Sequence, residues 1–178
     1  MGTVIGIVGS PRRDGNSAHL LELVLNALRA RAETETVHLK DYRIQPCEAC
    51  HCCEANGRCV LDDGMRDLVP KLEAADAIVL ASPAYMGGLT SRMRAFMERT
   101  WPLREGQLAG KVGAGIVVGR RKTGAAVYAM EDFLARLRLT RVPGVCGYAF
   151  EKGDIADDAE ALSDAGRLAD AILAEIGP

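Results

Sequence analysis

The amino-acid sequence predicts an α/β fold: a doubly wound parallel sheet of five strands, helices on both faces, in a single domain over residues 1–178. Three observations point there. Short β-branched runs alternate with amphipathic stretches along the whole chain, and each parallel crossover needs a helix to return the chain. The β-branched runs are apolar at successive positions, as strands covered on both faces must be. At 178 residues and 48% apolar composition there is material for one sizeable core but hardly two. Aromatics make up only 4%, so Val, Ile, Leu and Ala must fill that core.

Thr3-Val4-Ile5-Gly6-Ile7-Val8-Gly9 is the first strand, too apolar to have a wet face. After a loop of Pro, Arg, Asp and Gly, Ala18, Leu21, Leu25 and Leu28 recur with helical spacing, with Asn16 or Ser17 as the cap. Thr36 to Lys40 is a short second strand. Residues 44–62 hold five of the six cysteines and have neither period, which makes them a loop insertion. Met65, Leu68, Val69 and Leu72 line the next helix, capped by Asp62 or Asp63 and disturbed by Pro70. Ala77 to Ala81 is the third strand, followed by a loop from Ser82 to Gly88 and a helix near Thr90 to Thr100. Lys111 to Gly119 is the fourth strand, with a helix near Ala125 to Leu137. A fifth strand near Val142 to Phe150 and a helix from about Asp157 to Ile176 complete the pattern.

The economical strand order is 2-1-3-4-5, the flavodoxin-like one, and ligands then bind beyond the carboxyl ends of the strands where the order reverses. The loops after strands one, three and four should build the site. Lys and Arg number 22 against 24 Asp and Glu, a balance that argues against nucleic acid or an anionic membrane as partner. No apolar run approaches the roughly 18 residues of a membrane span, and no basic leader precedes the first strand. The expected location is the cytoplasm.

Gly9-Ser10-Pro11-Arg12-Arg13-Asp14-Gly15-Asn16-Ser17 opens directly onto a helix amino terminus. Free N–H groups and the macrodipole favour a phosphate there, Ser10, Asn16 and Ser17 can donate to it, and Arg12 can pair with the dianion. The loop is neither a Walker A nor a G-x-G-x-x-G fingerprint, so a terminal monophosphate fits it best; a plain turn with an N-cap would use the same residue types. Pro83, Ala84, Tyr85, Met86 and Gly87 lie on the loop after the third strand, where glycine lets backbone lie against a flat ligand and Tyr85 and Met86 give apolar cover. Gly119-Arg120-Arg121-Lys122-Thr123-Gly124 forms a basic turn, suited to a ring edge, to the phosphates of a second nucleotide, or simply to solvent.

Cys47-x-x-Cys50-x-x-Cys53-x5-Cys59 brings three thiolates into one compact loop and a fourth from downstream, a spacing that suits a [4Fe–4S] cluster. Four-cysteine zinc, which normally uses two separated knuckles, and metal-free thiols forming a labile disulfide are the alternatives. Cys52 stands outside the four-ligand spacing and Cys146 sits in a strand, as a core residue would.

Taken together, the Gly9 to Ser17 loop, the Cys47 to Cys59 motif followed by Asp62-Asp63, the run from Ala75 to Tyr85 and Gly119-Arg120-Arg121 resemble NAD(P)H-dependent FMN reductase-like proteins, in particular the iron-sulfur flavoprotein branch. The resemblance covers roughly residues 3–150. It implies FMN, with its phosphate on Ser10, Arg12, Asn16 and Ser17 and its ring along Pro83 to Gly87, near Gly119 and Arg120. It also implies a [4Fe–4S] cluster on Cys47, Cys50, Cys53 and Cys59, and a homodimer or homotetramer in which one subunit's cluster lies near a neighbour's flavin. Such a protein passes electrons between ferredoxin or NAD(P)H and an acceptor that the sequence does not identify. No side chain need act as acid or base, because the cofactors carry the chemistry. The competing functions are an NAD(P)H-dependent FMN or quinone reductase without a cluster and a non-catalytic flavodoxin-type electron carrier.

Overall fold

The computed structural model describes residues 1–177. Its sheet has the order β2-β1-β3-β5-β6, with β1 Gly2–Val8, β2 Ala32–His38, β3 Ala77–Tyr85, β5 Val112–Gly119 and β6 Thr140–Arg141, all parallel. Helix α1 (Asn16–Leu28) follows β1, α3 (Met65–Ala74) precedes β3, α4 (Ser91–Arg99) follows it, and α5 (Gly124–Arg136) follows β5. The last helix, α6, covers Ala159–Ile176. This is the flavodoxin-like winding.

Alternation along the strands divides the core into two layers. Val4, Val8, Val79, Ala81, Ala114 and Ile116 face α1 and α6, whereas Ile5, Ile7, Ile78, Leu80 and Val117 face α3, α4 and α5. Glycine sets how closely the helices approach: a Cβ on Gly6 would meet Leu21 at 2.8 Å, and one on Gly115 would meet Met130 at 2.5 Å. Side chains at these positions would push the helices off the sheet.

Among the described residues, seven strands replace the expected five, for two local reasons. The fifth strand divides into β6 and β7 (Val145–Tyr148), both paired with β5. Between them, Pro143 has no N–H to donate, and Gly144 passes so near β5 that a Cβ would lie 2.2 Å from the Gly115 carbonyl oxygen. The third strand, in turn, continues four residues past Ala81 and folds back on β4 (Gly88–Leu89) as an antiparallel hairpin. Pro70 lies within α3 without ending it. Residues 44–62, expected to be irregular, contain the short helix α2 (Cys52–Asn56).

Candidate functional site

Four loops interlock at the carboxyl edge of the sheet. The Gly9 amide donates to Ala81 O at 2.8 Å, and Thr90 Oγ1, which caps α4, donates to Gly9 O at 2.8 Å. This ties the loop after β1 to the β3–β4 hairpin. A Cβ on Gly119 would meet Ala84 Cβ at 3.2 Å, so the end of β5 lies against that hairpin. The loop after β7 closes the circle: Asn16 Nδ2 donates to Glu151 O at 2.8 Å, Asn16 Oδ1 accepts from Gly153 N at 2.9 Å, and Lys152 pairs with Asp14.

Within this edge the phosphate candidates divide by what already engages them. Gly15, rather than Asn16 or Ser17, occupies the cap position of α1, because the Asn16 amide is committed to the Glu151–Gly153 loop. Ser17 is buried and its Oγ has no hydrogen-bond partner. Ser10 Oγ, also buried, accepts from the Arg12 amide at 3.1 Å and keeps its own proton for another acceptor. Arg12 is exposed. An orphaned hydroxyl beside the free N–H groups of a helix's first turn is an unfilled set of donors, and a phosphate matches it.

Pro83, Ala84 and Tyr85 end β3, and Met86 and Gly87 make its two-residue turn with φ of 51° and 80°. Two positive φ values suit the right-handed twist of the flanking strands. Glycine adopts them freely, but Met86 does so at a cost. The Met86 side chain is fully exposed, and Tyr85 is half exposed beside it. Arg120 stacks over the Phe150 ring at 4.2 Å, which brings the basic turn against the loop after β7. The eleven residues expected around a flavin, Ser10, Arg12, Asn16, Ser17, Pro83 to Gly87, Gly119 and Arg120, all lie along this edge.

The cysteine loop lies elsewhere, at the far end of α4. Cys47 N donates to Glu98 Oε2 at 3.3 Å, and Ala49 N donates to Cys47 Sγ at 3.4 Å. Ala49 and His51 both have left-handed backbone, with φ of 51° and 57°, so the loop is tightly wound on either side of Cys50. Burial pushes the Cys53 thiol up, with Cys59 and Cys47 adding to it, while the Cys52 thiol is raised chiefly by its hydrogen bond to Cys50. Cys47 and Cys50 are exposed, and Cys52, Cys53 and Cys59 are half-buried. Among the described residues, no three His, Cys, Asp or Glu side chains converge as ligands of one metal ion. The donor chemistry itself, four thiols in a tight loop with an amide already on sulfur, fits an iron-sulfur cluster.

Beneath this loop is a pair that patterns in the chain do not reveal. Arg99 donates to Asp63 through Nη1 at 2.5 Å and Nη2 at 3.1 Å, with side chains 1% and 0% exposed, so the pair belongs to the interior. Burial alone would raise the Asp63 carboxyl, but hydrogen bonds from Arg99, Gln45 N and Met65 N outweigh it and hold it below the usual carboxylate range. In the sequence Asp63 is a helix-cap candidate that follows the cysteine motif, and Arg99 stands at the end of an amphipathic helix, with nothing to link the two.

A doubly wound sheet with a donor-lined loop at its carboxyl edge defines the flavodoxin-like class. A family model for NADPH-dependent FMN reductase matches residues 3–153, and the chain belongs to that family of flavin-dependent oxidoreductases. An iron-sulfur flavoprotein of Methanocaldococcus jannaschii is 41% identical over 123 residues, covering 68% of this chain and 64% of that protein, so the match takes in just under two thirds of the relative. An iron-sulfur flavoprotein of Archaeoglobus fulgidus is 34% identical over 158 residues, covering 86% of this chain and 72% of the other. A flavodoxin from the domain Archaea shares the fold with a TM-score of 0.65 at 14% identity, over 98% of both chains.

Proposed function

We propose that the chain is a single FMN-binding domain over residues 1–178 that also carries a [4Fe–4S] cluster on Cys47, Cys50, Cys53 and Cys59. It transfers electrons between ferredoxin or NAD(P)H and an acceptor of a kind not yet identified. The observation that carries the flavin half is Ser17: a buried hydroxyl without a partner, at the first turn of α1, on the sheet edge that also carries the exposed Tyr85 and Met86.

The flavin supplies two-electron exchange on one side and single-electron exchange on the other, and the cluster handles single electrons. The chain's residues bind and orient. Ser10 and Ser17 donate to the phosphate together with the amides of the first turn of α1, while Arg12 neutralises its outer face. Asn16 acts through its backbone amide and holds the Glu151–Gly153 loop against the site with its side chain. Pro83, Ala84, Tyr85, Met86 and Gly87 form the hairpin under the ring, and Gly119 and Arg120 border it. No side chain is assigned as acid or base.

Family resemblance and location support two further parts of the reading. The exposed Tyr85, Met86, Tyr148 and Phe150 at the flavin edge form the kind of apolar surface that association covers. This accords with a homodimer or homotetramer in which one subunit's cysteine loop approaches a neighbour's flavin. Among the described residues, no helix is long and apolar enough to cross a membrane, and we place the protein in the cytoplasm.

One observation favours a second reading, an NAD(P)H-dependent FMN or quinone reductase without a cluster: among the described residues, no three of the candidate thiols converge on one point. Anaerobic purification with quantitation of iron, acid-labile sulfide and flavin decides between them. The expected result is stoichiometric FMN with about four irons and four sulfides per chain. Flavin without iron or sulfide selects the second reading, and protein that takes up no flavin overturns both.

A further inference from the structure

We propose that Arg99 is the residue that assembles the cysteine motif: its guanidinium locks the two ends of the loop together, and its Nε–H is held as a donor to the Cys59 sulfur. The lock rests on geometry alone, and the donor role rests on the cluster reading.

The loop leaves the body of the protein at Gln45 and returns at Asp63, and one buried group closes that span. Arg99 Nη1 reaches both Asp63 Oδ2, at 2.5 Å, and Gln45 O, at 2.8 Å, while Asp63 Oδ2 accepts from Gln45 N at 2.9 Å. Asp63 Oδ1 takes Arg99 Nη2 at 3.1 Å and the Met65 amide at 3.1 Å. The carboxylate and both terminal guanidinium nitrogens are therefore engaged. Of the five guanidinium N–H groups, one on Nη2 and the one on Nε remain, and Nε is the nitrogen that is buried with no hydrogen-bond partner at all. A guanidinium does not shed its proton, so a buried Nε–H keeps its need for an acceptor.

Arg99 and Cys59 line one groove of about 1080 Å³, between the end of the cysteine loop, α3 and Pro102-Leu103. Cys59 is half-buried in that groove, on the same wall as the guanidinium. A charged donor on a coordinating sulfur stabilises the extra electron of a reduced cluster, and hydrogen bonds to sulfur are among the factors that set such potentials. Arg99 is a positioning residue by this account. It touches neither flavin nor substrate.

Two variants of the full chain test this. Arg99→Lys keeps the charge but not the planar fork, and Asp63→Asn with Arg99→Gln leaves no uncompensated buried charge and so guards against simple misfolding. In cluster-free protein, backbone hydrogen exchange over residues 43–65 should accelerate at least tenfold in both variants, with α1 unchanged. Exchange within twofold of the parent overturns the lock. In anaerobically reconstituted protein, both variants should lose iron to a chelator at least tenfold faster at unchanged FMN content, and the double variant's cluster midpoint potential should fall. A simple loss of fold would not shift the potential of the iron that remains. An unchanged potential overturns the donor role. If the parent itself takes up no iron and sulfide, the cluster reading and the donor role fall together, and the exchange experiment alone judges the lock.

Discussion

Ser17 and Asp63 show how burial converts ordinary polar side chains into specific demands. The Ser17 hydroxyl is buried with no partner, so removing it takes away an unmet need and not a bond. Ser17→Ala should leave the thermal midpoint of the flavin-free protein unchanged or raised. The same substitution should weaken FMN binding by about 1–3 kcal/mol, roughly ten- to a hundredfold, measurable by flavin fluorescence titration. Asp63 behaves in the opposite way because it is paired. Its carboxyl titrates below the ordinary range in the folded protein, so the unfolded chain binds more protons wherever pH lies near or below the unfolded pKa of about 3.9. The stabilisation is complete above that value and is lost as pH falls through the folded one. Asp63→Asn, which leaves Arg99 buried and unpaired, should cost about 3–5 kcal/mol near neutral pH. In urea melts, the gap from the parent should narrow in acid, and a pH-independent gap would rule out the ion pair as its source.

Among the elements, the β3–β4 hairpin departs most from local preference. Its turn places Met86 at a φ of 51° with the side chain fully exposed, so no packing offsets the backbone cost. A non-glycine residue held in that region is a common mark of a functional position. Met86→Gly should stabilise the flavin-free protein by about 1 kcal/mol in denaturant melts, while weakening FMN binding through loss of apolar cover over the ring. Stabilisation with no change in flavin affinity would place the ring away from this turn. Helix α4 has the complementary role. Thr90 at its start bonds to Gly9 behind the phosphate loop, and Glu98 and Arg99 at its end hold the cysteine loop. Nine residues rising about 1.5 Å each make α4 roughly 13 Å long, and its opposite ends touch the two candidate sites.

For the whole molecule, that separation means that the two sites should load independently. The flavin edge is built from β1, β3, β5 and β7, whereas the cysteines lie in an insertion that contributes no strand to the sheet. Cys50→Ala should therefore abolish bound iron and leave flavin content intact. A ligand at about a hundred times its dissociation constant stabilises the native state by about 2.7 kcal/mol, so FMN should raise the melting temperature of the parent and of Cys50→Ala equally. Loss of flavin together with iron would show that the loop supports the sheet edge.

Much of this architecture can be read without coordinates, because side-chain period is a local property. The strand from Val4 to Val8 and the α1 face of Leu21, Leu25 and Leu28 follow directly from it, and with them the winding that brings the Gly9 to Ser17 loop to the sheet edge. The division of the expected fifth strand was not read from the sequence, because the close passage of Gly144 over Gly115 depends on a neighbouring strand. The Met86-Gly87 turn lacks the usual Asn-Gly signature of such hairpins. In the sequence, Arg99 is one charge near the end of a helix. It becomes internal only because Asp63, thirty-six positions earlier, folds against it, and Asn16 is diverted only because Glu151 and Gly153 arrive from the other end of the chain. The order of strands and helices, the phosphate-suited loop and the cysteine motif were determined by the sequence itself, since each is written in neighbouring residues. Which polar groups are buried, which are satisfied and which still lack a partner was decided by the tertiary structure, because those conditions depend on contacts between segments far apart in the chain.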